Sequence, residues 1–251
     1  MSSDSFNYTM SRPEFQDFLA AAITLRVPFR YQRYGDGEFA CMGDWVEPRN
    51  HEHEYTMGLR IALIESMAHP KAATIYGVGV PGKHWAKTQE CLKAMEMEPD
   101  SLPWVPATTF TEPAEHGRLG PFFEALQGRD LILIGPKYMG DLPEWLLEFK
   151  EHIVIPNQHC FRNLTQILND TTAAISKGAV RHDAVVLVVA SLPAAYIIHT
   201  LGQLPACMDM SFIDMGSGLD HYVGKKSRSM HSRFPDIWAY STQKIKEYLA
   251  K

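Results

Sequence analysis

Short apolar runs recur along the chain, and each is followed by a stretch whose apolar positions fall at helical spacing. Six runs read as strands: Phe29–Tyr34, Ala72–Tyr76, Leu131–Ile134, Ile153–Ile155, Val185–Val189 and Ser211–Ile213. Several are almost wholly Val, Ile and Leu, as expected of strands covered on both faces. Between them, Phe15, Phe18, Leu19, Ala22 and Ile23 share one helical face, with Ser11 and Glu14 spaced as a capping box ahead of it. Tyr55, Leu59, Leu63 and Met67 advance by four, Phe161, Leu164, Ile167 and Leu168 form a third face, and Ile245, Tyr248 and Leu249 end a last helix. Strands alternating with helices predict an α/β protein with a Rossmann-like, mostly parallel sheet and helices on both faces. The Pro-rich stretch 99–117 would join two halves or form a long loop; the expectation is a single domain over residues 1–251 with a loop there.

Ligands bind beyond the C-terminal ends of strands in open parallel sheets, so the residues following each run matter most. The first run leads into Gly35-Asp36-Gly37-Glu38, the second into "GVGVPGKH" and the third into "GPKYMGD". Val185–Val189 leads to Ser191-Leu192-Pro193, and the final run to "DMGSGLDHYVGKKSR". Glycine and charge thus gather at one edge of the predicted sheet.

Asp36 and Glu38 are two residues apart. If the segment is extended, their side chains point the same way, with Cα atoms about 6–7 Å apart. Paired carboxylates repel unless a cation lies between them, and hard oxygen ligands suit Mg²⁺ or Mn²⁺. The same residues also suit a plain Asp-Gly turn, with Glu38 opening the next helix. Arg33 would meet phosphate or pair with a carboxylate. Gly77, Gly79, Gly82 and Lys83 resemble a phosphate loop only superficially, since both the Walker ending and the dinucleotide spacing are missing, and a plain loop is the better reading. His51 and His53 match no zinc spacing and read as the solvated start of a helix. Near the C-terminus, Asp214, Asp220 and His221 stand beside Lys225, Lys226 and Arg228, a cluster that would either hold a diphosphate or be a solvated basic loop.

Composition narrows the class. The 251 residues are 45% hydrophobic and 21% charged, with net charge −5, so no global basic field draws the chain to nucleic acid. The four scattered cysteines form no CxxC pair, which fits reduced thiols. The most apolar stretch, residues 184–198, is too short and too broken to span a membrane, and the first residues lack a signal-peptide profile. A cytoplasmic protein without a membrane span is expected.

Taken together, "RYGDGEF", "GRDLILIGP", "IPNQHCFRNLTQIL", "AVVLVVASLPAAYIIHTLG" and "SFIDMGSGLD" resemble, in order, the blocks of the GT-D-type glycosyltransferase domain. The resemblance spans most of residues 30–222. It departs at Ser191-Leu192-Pro193, where the family usually has Gly-Pro-Thr, and at Ser217, where it usually has His after Asp-Ile-Gly. It implies a metal site at Asp36 and Glu38 holding Mn²⁺ or Mg²⁺, and a nucleoside-diphosphate sugar, UDP-sugar favoured, as donor. Arg33, Gly35, Gly37, Lys83, Ser191, Lys225, Lys226 and Arg228 are then candidates for the donor and its phosphates. Asp214, Asp220 and His221 are the catalytic candidates, with Asp214 first because it follows a strand directly. The acceptor would be a hydroxyl on a glycan, with a modified DNA base the less favoured choice. A metal-dependent phosphoesterase or nucleotide-sugar hydrolase and a non-catalytic nucleotide-binding domain are the rival readings.

Overall fold

The computed structural model describes residues 8–45, 53–79, 84–97, 103–225 and 232–251. Seven parallel strands form one sheet: β1 (Arg30–Tyr34), β2 (Thr74–Val78), β3 (Trp104–Pro106), β4 (Leu131–Pro136), β5 (Glu151–Ile155), β6 (Val185–Val188) and β7 (Ser211–Asp214), in the order β3-β2-β1-β7-β6-β4-β5. The sheet grows in two directions from the β1–β7 junction, where Arg30 pairs with Phe212 and Tyr31 with Ile213.

Side chains alternate across the sheet, as the strand period of two requires. Leu131 and Leu133 of β4 enter one apolar cluster, and Ile132 and Ile134 enter the other. The first cluster is completed by α1 (Arg12–Thr24), α6 (Gly120–Gln127) and α9 (Pro235–Leu249), with the short α5 (Pro113–His116) beside α9. The opposite face is covered by α2 (Asp36–Gly43), α3 (Met57–Ala68), α4 (Trp85–Ala94), α7 (Leu164–Ser176) and α8 (Ala194–Leu201). This double coverage explains why the central strands carry no polar alternation.

The capping box ahead of α1 is formed: the Ser11 N–H donates to Glu14 Oε2 at 2.8 Å, and the Glu14 N–H donates to Ser11 Oγ at 3.4 Å. Six strands lie where the apolar runs placed them, with ends shifted by a residue or two. The seventh, β3, falls inside the Pro-rich stretch expected to be a loop. It is three residues long and bounded by Pro103 and Pro106, which an edge strand tolerates because one of its sides needs no donors. Just ahead of α1, residues 8–11 form a strap beside this edge: the Thr9 N–H and Oγ1 both donate to Trp104 O, at 2.9 and 3.0 Å, and the Tyr8 hydroxyl donates to Val78 O at 3.0 Å.

Gly77, expected in a loop, lies within β2. Its missing side chain makes room for a neighbour: a Cβ there would stand 2.4 Å from the Tyr31 hydroxyl and 2.8 Å from the ring. Gly77→Ala therefore overpacks the sheet and should cost about 1–3 kcal/mol in urea unfolding, with an unchanged m-value.

Candidate active site

Because all seven strands run the same way, their C-terminal ends open on one side, and a cavity of about 510 Å³ lies there. Its centre is the β1–β7 junction, the point from which the sheet is built in both directions and where such sheets form their crevice. Arg33 and Gly35 from β1, and Asp214 and Gly216 from β7, line this centre.

Asp214 is buried there, 4% exposed. Its Oδ1 accepts from the Gly216 N–H at 2.9 Å and stands 3.8 Å from Arg33 Nη1. Burial pushes its carboxyl up to about 6, and the charge of Glu38 adds to this; the Arg33 guanidinium and the Gly216 and Arg33 N–H groups oppose it. Arg33 is itself anchored, with Nε donating to Ala107 O at 2.8 Å. Its guanidinium lies against Gly216, whose φ is +50° and whose position leaves no space for a Cβ, since one would fall 1.4 Å from Nη1. Both backbone conformation and close approach require glycine at this position.

Asp36 and Glu38 line the same cavity, and of the two geometries open to them the extended one does not form, while Glu38 does lie in the first turn of the next helix. Asp36 opens α2 and Glu38 is its third residue, so the two side chains leave the helix about 160° apart. The cause is local. Gly35 has no side chain to cap the helix, and Glu38 Oε2 reaches back to accept from the Gly35 N–H at 2.8 Å. Asp36 is exposed, and its Oδ1 accepts from the Gly37 N–H at 3.1 Å.

The other expected residues divide. Asp220 and Ser191 line the cavity, Asp220 almost fully buried and Ser191 with a left-handed φ of +51°. Glycine, the residue of the resembling family, is the one that adopts that conformation freely. Lys225 stands at the rim, Nζ 4.3 Å from the centroid of the cavity-lining Tyr138 ring. His221 does not line the cavity. It follows Asp220 in a 3-10 turn (Asp220–Val223) that sends its ring into an aromatic cluster, 4.6 Å from His116 and 4.5 Å from Trp238 between centroids. Lys83, Lys226 and Arg228 fall outside the described residues, as does His51.

His53, expected to be solvated, is 5% exposed and lines the cavity. Tyr8, Arg12, Asn157 and Cys160 also line it, and nothing in the sequence pattern singled them out. Tyr8 arrives with the strap beside β3, Arg12 with the start of α1, and Asn157 and Cys160 with the turn after β5.

No protein-family profile matches the chain, and no curated protein does. Solved structures do match. A glycosyltransferase from Streptococcus sanguinis (DUF1792) superposes with a TM-score of 0.60 at 12% identity, over 82% of this chain and 81% of that one. A second structure, of the highly conserved domain of unknown function 1792 with its distinct glycosyltransferase fold, gives 0.55 at 17% identity, over 85% and 79%. Its selenomethionine-substituted form superposes equally well. At these identities the likeness establishes the fold: this chain has the parallel α/β architecture of those glycosyltransferases.

Asp214 has a measurable signature. Its folded carboxyl lies above the ordinary 3.8, so folding favours the protonated form. That contribution is fully present below about pH 4 and is lost as pH rises through about 6. Asp214→Asn should therefore gain stability over wild type progressively across pH 4–6.5, by on the order of 2 kcal/mol at the top of the range, read by urea unfolding at each pH. Equal differences at every pH would refute the shift.

Proposed function

We propose that the protein is a metal-dependent glycosyltransferase that moves a sugar from a nucleoside-diphosphate sugar, UDP-sugar favoured, to a hydroxyl acceptor. The observation that carries this reading is the meeting of Asp36, Glu38, Asp214 and Arg33 in one cavity at the β1–β7 junction. The glycosyltransferase fold of the structural neighbours supports it.

Among the described residues, no group of three or more His, Cys, Asp or Glu side chains is placed to hold a metal ion. A cage built from these residues alone is thus not formed. Mg²⁺ and its like, however, commonly take one or two carboxylates and complete their shell with water and substrate phosphates. Both carboxylates line the cavity; because they leave α2 on different sides and Glu38 Oε2 accepts from the Gly35 N–H, Asp36 would supply one hard oxygen directly and Glu38 would join through its other oxygen or a bridging water. When bound, Mn²⁺ or Mg²⁺ would supply counter-charge to the leaving diphosphate.

The chain's own residues do the rest. Arg33, fixed by Ala107 O and Gly216, presents a positioned guanidinium beside the reacting centre. Asp214, with its carboxyl near 6, is mostly ionised at neutral pH yet more basic than an ordinary carboxylate. If the transfer inverts the anomeric centre, it takes the proton of the acceptor hydroxyl as that oxygen bonds to the anomeric carbon and the carbon–diphosphate bond breaks.

A thermal-shift panel of UDP-, GDP-, ADP- and dTDP-sugars with Mn²⁺ or EDTA tests the reading. One nucleotide class should raise the melting temperature in a way that needs both the metal and Asp36, and Asp36→Asn should abolish the shift. No shift with any donor would sink the proposal, and equal turnover with and without acceptor would mark a hydrolase instead. With an acceptor in hand, kcat/KM should rise with pH through about 6, and Asp214→Asn should lower it by about 10²-fold or more at neutral pH.

A further inference from the structure

The cavity has two unlike halves, one on each side of the β1–β7 junction. We infer that the half beyond β6, β4 and β5 receives the nucleoside of the donor, and that the half beyond β2 and β3, under the N-terminal strap, receives an uncharged, polyhydroxylated acceptor of the glycan type. This division rests on the glycosyl-transfer reading and gives each substrate its own subsite.

The first half is walled by Pro136, Ile155, Val189 and Ala190, with the Tyr138 ring on one side and the Asn157 carboxamide at an exposed turn. Apolar walls, one aromatic face and a single amide that both donates and accepts suit a flat heterocycle whose edge must be read. Lys225, with its Nζ 4.3 Å from the Tyr138 centroid, places a cation beside this ring.

The second half is different in kind. Tyr8 offers a ring that is 37% exposed, and Thr108 and Thr111 line the wall beyond it, with the buried Thr111 hydroxyl donating to Thr108 O at 3.5 Å. Its cation is already spoken for: Arg12 donates from Nε to Thr108 Oγ1 at 2.8 Å and stands 3.5 Å from Glu115 and 3.9 Å from Glu112. Among the described residues of this half, two carboxylates against one guanidinium leave no positive surplus. A polyanion would meet the net negative charge of these described groups, whereas a neutral sugar meets an aromatic platform and the Thr108 hydroxyl. The division also disfavours DNA as acceptor.

The test uses the full chain and the nucleoside diphosphate that gives the largest thermal shift. By isothermal titration, Asn157→Ala and Tyr138→Ala should each weaken its binding by about tenfold, and Tyr8→Ala should leave it within about twofold of wild type. On an array of neutral and acidic oligosaccharides with the matching donor, label should pass to neutral members, and Tyr8→Ala should raise the acceptor KM by about tenfold with kcat little changed. Nucleotide binding that follows Tyr8 and ignores Asn157, or transfer confined to acidic glycans or DNA, would overturn the division alone. A wild type that binds no nucleoside diphosphate overturns the transferase reading and the division with it.

Discussion

The rest of the site depends on a carboxylate held almost out of water. Asp214 ends β7 in the middle of a parallel sheet covered on both faces, where the strand before it is wholly buried. Such a position penalises charge, and the raised carboxyl pKa expresses that penalty. Arg33, from the adjacent strand, offsets part of it, and the left-handed Gly216 lets the guanidinium come close. Asp214, Arg33 and Gly216 form one unit: moving any of them changes the electrostatics felt by the other two.

That unit sits where it does because of topology. In a sheet that grows outward from the β1–β7 junction, the loops leaving these two strands turn apart and leave a crevice between them. The loops of β2 and β3 then wall one side and those of β6, β4 and β5 the other. Neighbours with this architecture at 12–17% identity show how little sequence it takes to specify the frame. What the frame requires is burial on both faces and an end at which polar residues can converge.

Much of this frame was legible. Val, Ile and Leu runs at 131–134 and 185–189 announce buried strands because nothing else suits a position covered on both sides. Asp214 and Ser191 could be assigned to the site because each follows such a run. β3 was not legible, since three residues between prolines carry no periodicity. For Asp36 and Glu38 the pattern left two geometries open, extended or opening the next helix, and the second forms; a change of one or two residues in where the strand gives way to the helix turns parallel side chains into diverging ones. His53 and Tyr8 reach the cavity through long-range packing, which leaves no mark on the local sequence.

Charge gives the final constraint on what the cavity can hold. Around its centre stand Asp36, Glu38, Asp214 and Asp220, facing Arg33, while Arg12 is matched by Glu112 and Glu115. A diphosphate brings still more negative charge, so on the proposed reading it cannot settle there against the carboxylates unless a cation accompanies it. Lys225 lies at the rim and Arg33 is partly committed to Asp214, so neither offsets that charge alone. Dependence on a divalent ion would then be an electrostatic consequence of the acidic centre, which protonation of Asp214 would relieve in part. Lowering the pH would ease nucleotide entry while removing the base that the transfer needs, so binding and turnover should have opposite pH trends on the acid side of neutrality.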